Sequence, residues 1–191
     1  MKLLVERLRE TPSSHSYAVT PAWWAAVSGA PAVRREGIGP GLALELEAHQ
    51  MGDDVYLEGE VSGALELECS RCLARYGPPV RERFRLVLEP AGDRVPADPE
   101  GAAALDRDGL YLSDELESGW YRGGEIELGA FFREVIALLF PVQPVCREEC
   151  LGLCPRCGVD RNVESCSCAE TRRPSPFEAL RGLRTGGGDE R

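Results

Sequence analysis

The sequence predicts an α+β fold: an antiparallel β-sheet, partly barrel-like, covered by one amphipathic helix and followed by a cysteine-rich, zinc-ribbon-like appendage. Three observations predict it. Hydrophobic and charged residues alternate between Leu42 and Leu88, which is the period of strands with one buried face. From Leu128 to Leu139 the hydrophobic spacing changes to three and four residues, the period of a helix. Eight cysteines fall in two places along the chain.

The alternating region divides into four predicted strands, at residues 42–48, 55–61, 65–67 and 84–88. Met51-Gly52-Asp53-Asp54 is typical of a hairpin turn between the first two. On the polar face, glutamates of three strands are expected near arginines of the fourth. Such cross-strand pairs contribute roughly 0.2 to 1 kcal/mol each, so they adjust the stability of the sheet without determining the fold.

The remaining segments give weaker patterns. Residues 3–8 are predicted as an edge strand, 12–17 as a turn, 28–40 as a loop, 90–109 as an exposed acidic loop, and 110–112 and 116–121 as short strands. Pro21 is expected to begin a short helical turn that carries Trp23 and Trp24. Gly123-Gly124 predicts a turn, with a brief returning strand at Ile126. Pro141 is expected to end the helix that covers the sheet, because proline clashes with a continued helical turn.

Composition narrows the class of protein. The chain has 191 residues and a net charge of -10, which argues against broad, non-specific attraction to nucleic acid or anionic membranes. We find no apolar run typical of a signal peptide or a membrane span, and therefore expect a cytoplasmic protein. Cysteines in that compartment are more often metal ligands than disulfides. We divide the chain into an α+β core (1–145), a cysteine-rich zinc-binding segment (146–170) and a basic tail (171–191) whose end is expected to be disordered.

The cysteine spacing predicts two structural zinc ions. Cys69-Ser-Arg-Cys72 is expected at a hairpin tip, where a tight turn can direct both sulfurs inward. Two thiolates do not complete a tetrahedron, so the first predicted site adds ligands that follow the helix. The first site is Cys69, Cys72, Cys146 and Cys150; the second is Cys154, Cys157, Cys166 and Cys168. An exchange of Cys150 and Cys154 between the two sites remains open.

These sites are predicted to be structural, because catalytic zinc keeps an open position and uses histidine or carboxylate ligands. His15 and His49 are expected to be ordinary surface residues. A redox Cys-x-x-Cys motif needs a helix beginning at the motif, and Gly77-Pro78-Pro79 leaves no room for one. No pattern in the sequence favours an enzyme.

Basic residues are concentrated beside the cysteines. The candidate RNA- or partner-binding residues are Arg71, Arg75, Arg81, Arg83 and Arg85. The alternative is that these arginines pair with the many glutamates of the chain. A second basic stretch, residues 172–184, is expected to form a short helix that docks on the core or on a partner.

Several of these segments together resemble the YceD family of bacterial and plastid proteins. They are Leu67-Glu68-Cys69-Ser70-Arg71-Cys72, Ile126-Glu127-Leu128-Gly129, Leu138-Leu139-Phe140-Pro141-Val142, Cys150-Leu-Gly-Leu-Cys154-Pro-Arg-Cys157-Gly and Pro176-Phe177-Glu178-Ala179-Leu180. The resemblance implies a non-enzymatic factor that supports synthesis, processing or stability of large-subunit (23S) ribosomal RNA. It also supports the grouping of the first site, since some family members keep those positions and lack the later four cysteines.

The resemblance implies a ribosomal RNA precursor or a large-subunit ribosomal protein as the partner, with no membrane and no small-molecule substrate. Two alternatives remain: a zinc-ribbon adaptor that binds only proteins, and a redox-sensing protein in which oxidation of cysteines releases zinc.

Overall fold

The structure, a computed structural model, describes residues 1–28, 37–39, 41–113 and 116–168. Its strands are β1 (Lys2–Leu4), β2 (Ser13–Ala18), β3 (Gly37–Ile38), β4 (Ala43–Met51), β5 (Asp54–Glu68), β6 (Arg75–Tyr76), β7 (Pro79–Pro90), β8 (Leu110–Leu112), β9 (Ser118–Tyr121) and β10 (Glu125–Glu127). Its helices are α1 (Pro21–Ser28), α2 (Pro99–Asp108) and α3 (Gly129–Leu138), and a single 3-10 turn spans Val5–Arg7. The predicted loop at 28–40 lies mostly outside the described residues, and the tail at 171–191 lies entirely outside them.

The main sheet is mixed and open, whereas the sequence predicted an antiparallel, partly barrel-like sheet. Its strands follow the order β2-β4-β5-β7-β9-β8, and β3 and β6 pair with the far end of β5. Strands β7 and β9 are parallel, and the other neighbouring pairs are antiparallel. The parallel pair arises because α2 and β8 intervene between β7 and β9, which returns the chain in the direction of β7. Strands β1 and β10 form a separate two-stranded sheet.

Strand β5 corrects the predicted strand count. The second and third predicted strands are one continuous strand of 15 residues, Asp54–Glu68. The alternation fades at Ser62, Gly63 and Ala64, but Gly63 and Ala64 still pair with Val80 and Pro79 of β7. The predicted hairpin turn is confirmed, since Met51 of β4 pairs with Asp54 of β5.

Three of the weaker predictions were wrong in part. A turn was predicted at residues 12–17, but Ser13–Ala18 form β2 and pair with β4 along their whole length. The predicted edge strand at 3–8 stops at Leu4. The acidic loop at 90–109 contains helix α2. That helix begins at Pro99 after Asp98, whose carboxylate accepts a hydrogen bond from the backbone N–H of Gly101. An N-cap aspartate followed by proline is a strong helix start, and it outweighs the polar composition.

The predicted hydrophobic helix is confirmed as α3, and aromatic rings connect it to the sheet. Phe131 and Phe132 are fully buried. The ring of Phe84 on β7 lies 5.4 Å from that of Phe131, and the ring of Tyr17 on β2 lies 5.8 Å from that of Phe132. Leu138, which the spacing placed on the buried side, is 75% exposed because the helix ends there. Among the described residues, no helix combines the length and the apolar character that a membrane crossing requires.

Candidate metal centres

A tight turn at the end of β5 carries the first cysteine pair. The backbone N–H of Leu73 donates to the carbonyl of Cys69, and the N–H of Cys69 donates to the carbonyl of Ala74, both at 2.9 Å. The chain then reverses into β6, which pairs again with the last two residues of β5. Since this turn lies at a strand end, it brings the sulfurs of Cys69 and Cys72 to the same side.

The segment after α3 meets this turn. Ser70 donates from its backbone N–H and from its hydroxyl to the carbonyl of Pro144, at 2.8 and 2.9 Å. The two following cysteines then reach the hairpin: Sγ of Cys150 lies 3.8 Å from Sγ of Cys69, and Sγ of Cys146 lies 3.7 Å from Sγ of Cys72. All four sulfurs lie within 4.8 Å of one another and could hold a metal ion. We call these four residues, which join the sheet to the cysteine-rich segment, the junction cluster.

The junction cluster is largely shielded from solvent, with Cys146 half-buried. Cys69 is fully buried, and Cys72 and Cys150 are buried as well. Three apolar side chains, those of Tyr76, Val145 and Leu153, pack against the cysteines. Burial of this kind keeps oxidants and competing ligands away from the sulfurs.

The thiols of the junction cluster differ in how readily they ionise. Burial opposes ionisation of Cys69, but backbone N–H groups of Cys146, Cys72 and Arg71 outweigh it and lower the pKa of Cys69 to about 6. Burial, together with hydrogen bonds to the neighbouring thiols, raises the pKa of Cys146 to about 12. One thiol therefore ionises readily while its neighbour holds its proton until a positive charge displaces it.

The other four cysteines form a separate group, the loop cluster (Cys154, Cys157, Cys166 and Cys168). Their sulfurs also lie within 4.8 Å of one another and could hold a metal ion. Backbone N–H groups of Cys157 and Arg156 lower the pKa of Cys154 to about 6, whereas a hydrogen bond with Cys157, followed by burial, raises the pKa of Cys168 to about 12. Unlike the junction cluster, this group is partly open to solvent, since Cys157 is exposed.

The membership of the two clusters is the one that the spacing predicted, with Cys150 in the first and Cys154 in the second. Only Leu151, Gly152 and Leu153 separate them. The N–H of Leu153 donates to the carbonyl of Arg71 at 2.9 Å, which holds this connection against the hairpin turn. Gly152 has a φ of +71°, and a Cβ at this position would lie 2.9 Å from the carbonyl oxygen of Arg71.

Two residues at this connection have roles that sequence reasoning missed. The guanidinium of Arg71, predicted to face RNA or a partner, donates to the carbonyls of Glu148 and Cys150, at 3.0 and 3.1 Å. The side-chain amide of Asn162 donates to Sγ of Cys150 at 3.4 Å, although Asn162 lies in the loop of the other cluster. The only available signal for Asn162 was its position between Cys157 and Cys166, which does not indicate a contact with a different cluster.

The remaining candidate arginines lie on β6 and β7. Arg81, Arg83 and Arg85 project from the polar face of β7 with side chains that are 75, 86 and 62% exposed. Glu60 forms ion pairs with Arg81 at 2.7 Å and with Arg83 at 3.5 Å, and Arg85 forms one with Glu117 at 3.5 Å. The glutamate pairing that the sequence left open is therefore present for these three. Arg75 lies in β6, opposite Glu68 of β5. Their contact with RNA stays a prediction.

The polar face around these arginines is concave and encloses about 870 Å³. Glutamates of β4 and β5 lie on one side of this groove and the arginines of β7 on the other. Glu45 is directly opposite Glu60, and Glu47 is opposite Glu58. The groove thus has glutamates on one side and the three arginines on the other, where Glu117 pairs with Arg85.

A family model described as "Large ribosomal RNA subunit accumulation protein YceD" matches residues 57–184, which include the turn at the end of β5 and both clusters. The chain belongs to the YceD family. An uncharacterised protein of Mycobacterium tuberculosis is 32% identical over 118 residues, which is 62% of this chain and 50% of that protein. A second uncharacterised relative, from Mycobacterium leprae, is 27% identical over 126 residues, 66% of this chain and 52% of its own.

A further YceD relative carries a functional name. The protein of Arabidopsis thaliana called "Large ribosomal RNA subunit accumulation protein YCED homolog 1, chloroplastic" is 24% identical over 147 residues, 67% of this chain and 44% of that protein. The chain spans about half the length of the curated relatives it matches. No solved structure matches this YceD chain.

Proposed function

We propose that this protein is a non-enzymatic factor in ribosome biogenesis that supports the accumulation of large-subunit (23S) ribosomal RNA. Membership of the YceD family carries this proposal, because the family description and a named relative both refer to accumulation of that RNA. We further propose that the protein acts in the cytoplasm on a ribosomal RNA precursor or a large-subunit ribosomal protein.

The two clusters fit structural zinc. Zinc bound by four thiolates has Zn–S distances of about 2.3 Å in a tetrahedron, which separates the sulfurs by about 3.8 Å. The measured separations of 3.7 and 3.8 Å in the junction cluster match this value. When bound, zinc would supply a positive charge that cross-links its four thiolates. The cysteines would then add to the hydrogen bonds from Ser70 to Pro144 that already hold the turn at the end of β5 against the segment after α3.

The donor set supports a structural role for the metal. Four thiolates complete the coordination of zinc, whereas catalytic zinc keeps a position for water or substrate. His15 hydrogen-bonds to Ser13 within β2, and the ring of His49 stacks on that of Tyr56 at 5.2 Å. Both histidines are thus engaged inside the sheet and belong to neither cluster.

The exposed arginine row of β7 is the surface that we propose for the partner. Arg81, Arg83 and Arg85 alternate along the strand, so their side chains share one face with a spacing of about 7 Å. Exposed ion pairs contribute only about 0 to 1 kcal/mol, so phosphate oxygens can compete with Glu60 and Glu117 for these guanidinium groups.

The test is a deletion strain in which the ratio of 23S to 16S ribosomal RNA is measured, with precursors resolved by sedimentation. We expect a lower ratio and restoration by the intact protein.

A variant in which Arg81, Arg83 and Arg85 are changed to glutamine should restore the ratio poorly, whereas the charge-matched control with Arg7, Arg107 and Arg133 changed to glutamine should restore it fully. An unchanged ratio in the deletion strain would overturn the proposal. Crosslinking in cells that recovers protein without ribosomal RNA would favour the adaptor alternative.

Metal content is tested separately, on protein purified without added zinc. Two zinc ions per chain are expected by elemental analysis, and their release should expose eight titratable thiols. Rapid reaction of several thiols before any chelator is added would favour the redox-sensing alternative.

A further inference from the structure

Asn162 joins the two clusters through a single side chain. It lies between Cys157 and Cys166, which both belong to the loop cluster, yet its Nδ2 lies 3.4 Å from Sγ of Cys150 in the junction cluster. Its Oδ1 accepts a hydrogen bond from the backbone N–H of Leu151 at 2.8 Å. The orientation of the amide follows from this network, because the N–H of Leu151 requires an acceptor and therefore leaves the amide nitrogen to face the sulfur.

The loop between Cys157 and Cys166 determines where this amide lies. Asp160 accepts hydrogen bonds at Oδ1 from the backbone N–H of Asn162 at 2.9 Å and from its Nδ2 at 2.6 Å. The N–H of Arg161 donates to the carbonyl of Gly152 at 3.0 Å, which ties the loop to the connection between the clusters. The same loop buries little apolar surface, since Val163 is 78% exposed. A segment this short does not form a hydrophobic core of its own, so we expect its hydrogen bonds to depend on the four cysteines that a metal would draw together.

We propose that Asn162 is a positioning residue that couples the two metal centres, so that zinc in the loop cluster strengthens zinc binding in the junction cluster. The N–H···S bond orients the Cys150 sulfur and disperses its charge, as outer-shell hydrogen bonds do for other metal ligands. Because coupling between two sites is reciprocal, zinc in the junction cluster also strengthens binding in the loop cluster. This inference rests on the proposed occupancy of both clusters by zinc.

The first test changes Asn162 to alanine in the full chain. Zinc affinity is measured by competition with a coloured chelator, and cysteine alkylation mapped by peptide mass spectrometry assigns each release step to a cluster. We expect the affinity of the junction cluster to fall about 10- to 100-fold, the range for lost outer-shell partners. The matched control is Val163→Ala, the exposed neighbouring position, which should leave both affinities unchanged.

A spectroscopic measurement separates ligand positioning from a general loosening of the loop. With cobalt in place of zinc, loss of the N–H···S bond should shift the thiolate-to-cobalt charge-transfer band of the junction cluster to lower energy. A variant that merely loosened the loop would leave the position of that band unchanged. An unshifted band in Asn162→Ala would overturn the positioning role.

The second test removes the loop cluster with Cys166→Ser and Cys168→Ser, and compares this protein with one that also carries Asn162→Ala. We expect the serine pair to weaken zinc binding in the junction cluster, and the added alanine to weaken it little further. If the alanine has its full effect without the loop cluster, or if the serine pair leaves the junction cluster unchanged, the coupling is refuted. Intact protein that purifies without zinc would instead refute the proposed metal occupancy, so the two failures are distinguishable.

Discussion

The two cysteine clusters use the same four-thiolate chemistry in different surroundings. The junction cluster joins cysteines that lie 81 and 74 positions apart in the chain, and it packs against apolar side chains. Three of its cysteines are buried and Cys146 is half-buried. The loop cluster lies within the 15 residues 154–168, and one of its cysteines is exposed. Both clusters contain one thiol whose pKa is lowered to about 6 and another whose pKa is raised to about 12. Because the ligands are the same, the surroundings of each cluster should decide how much a metal bound there would stabilise the protein.

The largest expected difference is in stability. Cys69→Ser should remove zinc from the junction cluster and separate the cysteine-rich segment from the sheet. Structural zinc sites have apparent binding energies of about 10 to 16 kcal/mol, and each kcal/mol lost lowers Tm by about 2 to 4 °C in a chain of this size. A loss of about 5 kcal/mol would thus lower Tm by about 10 to 20 °C, measured by thermal unfolding.

Cys166→Ser is the matched comparison, since it removes one ligand from the loop cluster and leaves the hydrophobic core untouched. Its Tm should fall by less than about 5 °C, because the residues released are few and already partly exposed. Equal losses for the two variants would show that burial of the junction cluster adds nothing to its contribution.

The pH dependence should be steep in both clusters. A thiol whose pKa is raised to about 12, such as Cys146, holds its proton at pH 7, so zinc binding must release that proton. Affinity should therefore fall at least about tenfold for each pH unit as the pH is lowered from 9 to 7. Below pH 6, protonation of Cys69 adds a further proton to those that zinc must displace, so the fall steepens by about another tenfold per unit. Chelator competition across this range measures both slopes; a pH-independent affinity would contradict the thiolate assignment.

The two clusters should differ in the rate at which their cysteines are alkylated, because they differ in solvent access. Cys157 is exposed and Cys69 is fully buried, so alkylating reagents should reach the loop cluster first. We expect its cysteines to be modified about tenfold faster than those of the junction cluster, as followed by peptide mass spectrometry. Simultaneous modification of all eight would mean that the clusters open together.

The smallest expected effect concerns the connection between the clusters. Gly152 and Gly158 both have a positive φ, +71° and +75°, but a Cβ would contact the Arg71 carbonyl at Gly152 and meet nothing within 4 Å at Gly158. Gly158→Ala should cost about 1 to 2 kcal/mol from backbone conformation alone. Gly152→Ala should cost about 1 kcal/mol more, since the Arg71 contact must also move. Equal costs in chemical denaturation would show that this close approach is unimportant.

The sequence predicted the features that depend on a local pattern, and it missed those that depend on pairing with a distant part of the chain. The period of two identified β4 and β7, and cysteine spacing gave the membership of both clusters. The continuity of β5 through Gly63 could not be read from the chain, because it depends on pairing with Val80 of β7. The contacts of Arg71 and Asn162 arise from chain segments that meet only in the fold. Residue type alone therefore predicted an exposed, partner-binding side chain for Arg71 and gave no prediction for Asn162.

The strands beside β5 are long over most of its length and very short at its end, and this difference should affect how fast its amides exchange. Most of the strand is enclosed between β4 and β7, but Leu65–Glu68 is flanked by β3 and β6, which contain two residues each. Amides in short pairings exchange with deuterium through small openings, whereas enclosed ones wait for larger unfolding. The deuterium exchange rate of the amides just before Cys69 should therefore report on the state of the adjoining turn. Exchange should slow when a metal holds that turn against the segment after α3, and it should quicken when the metal is removed.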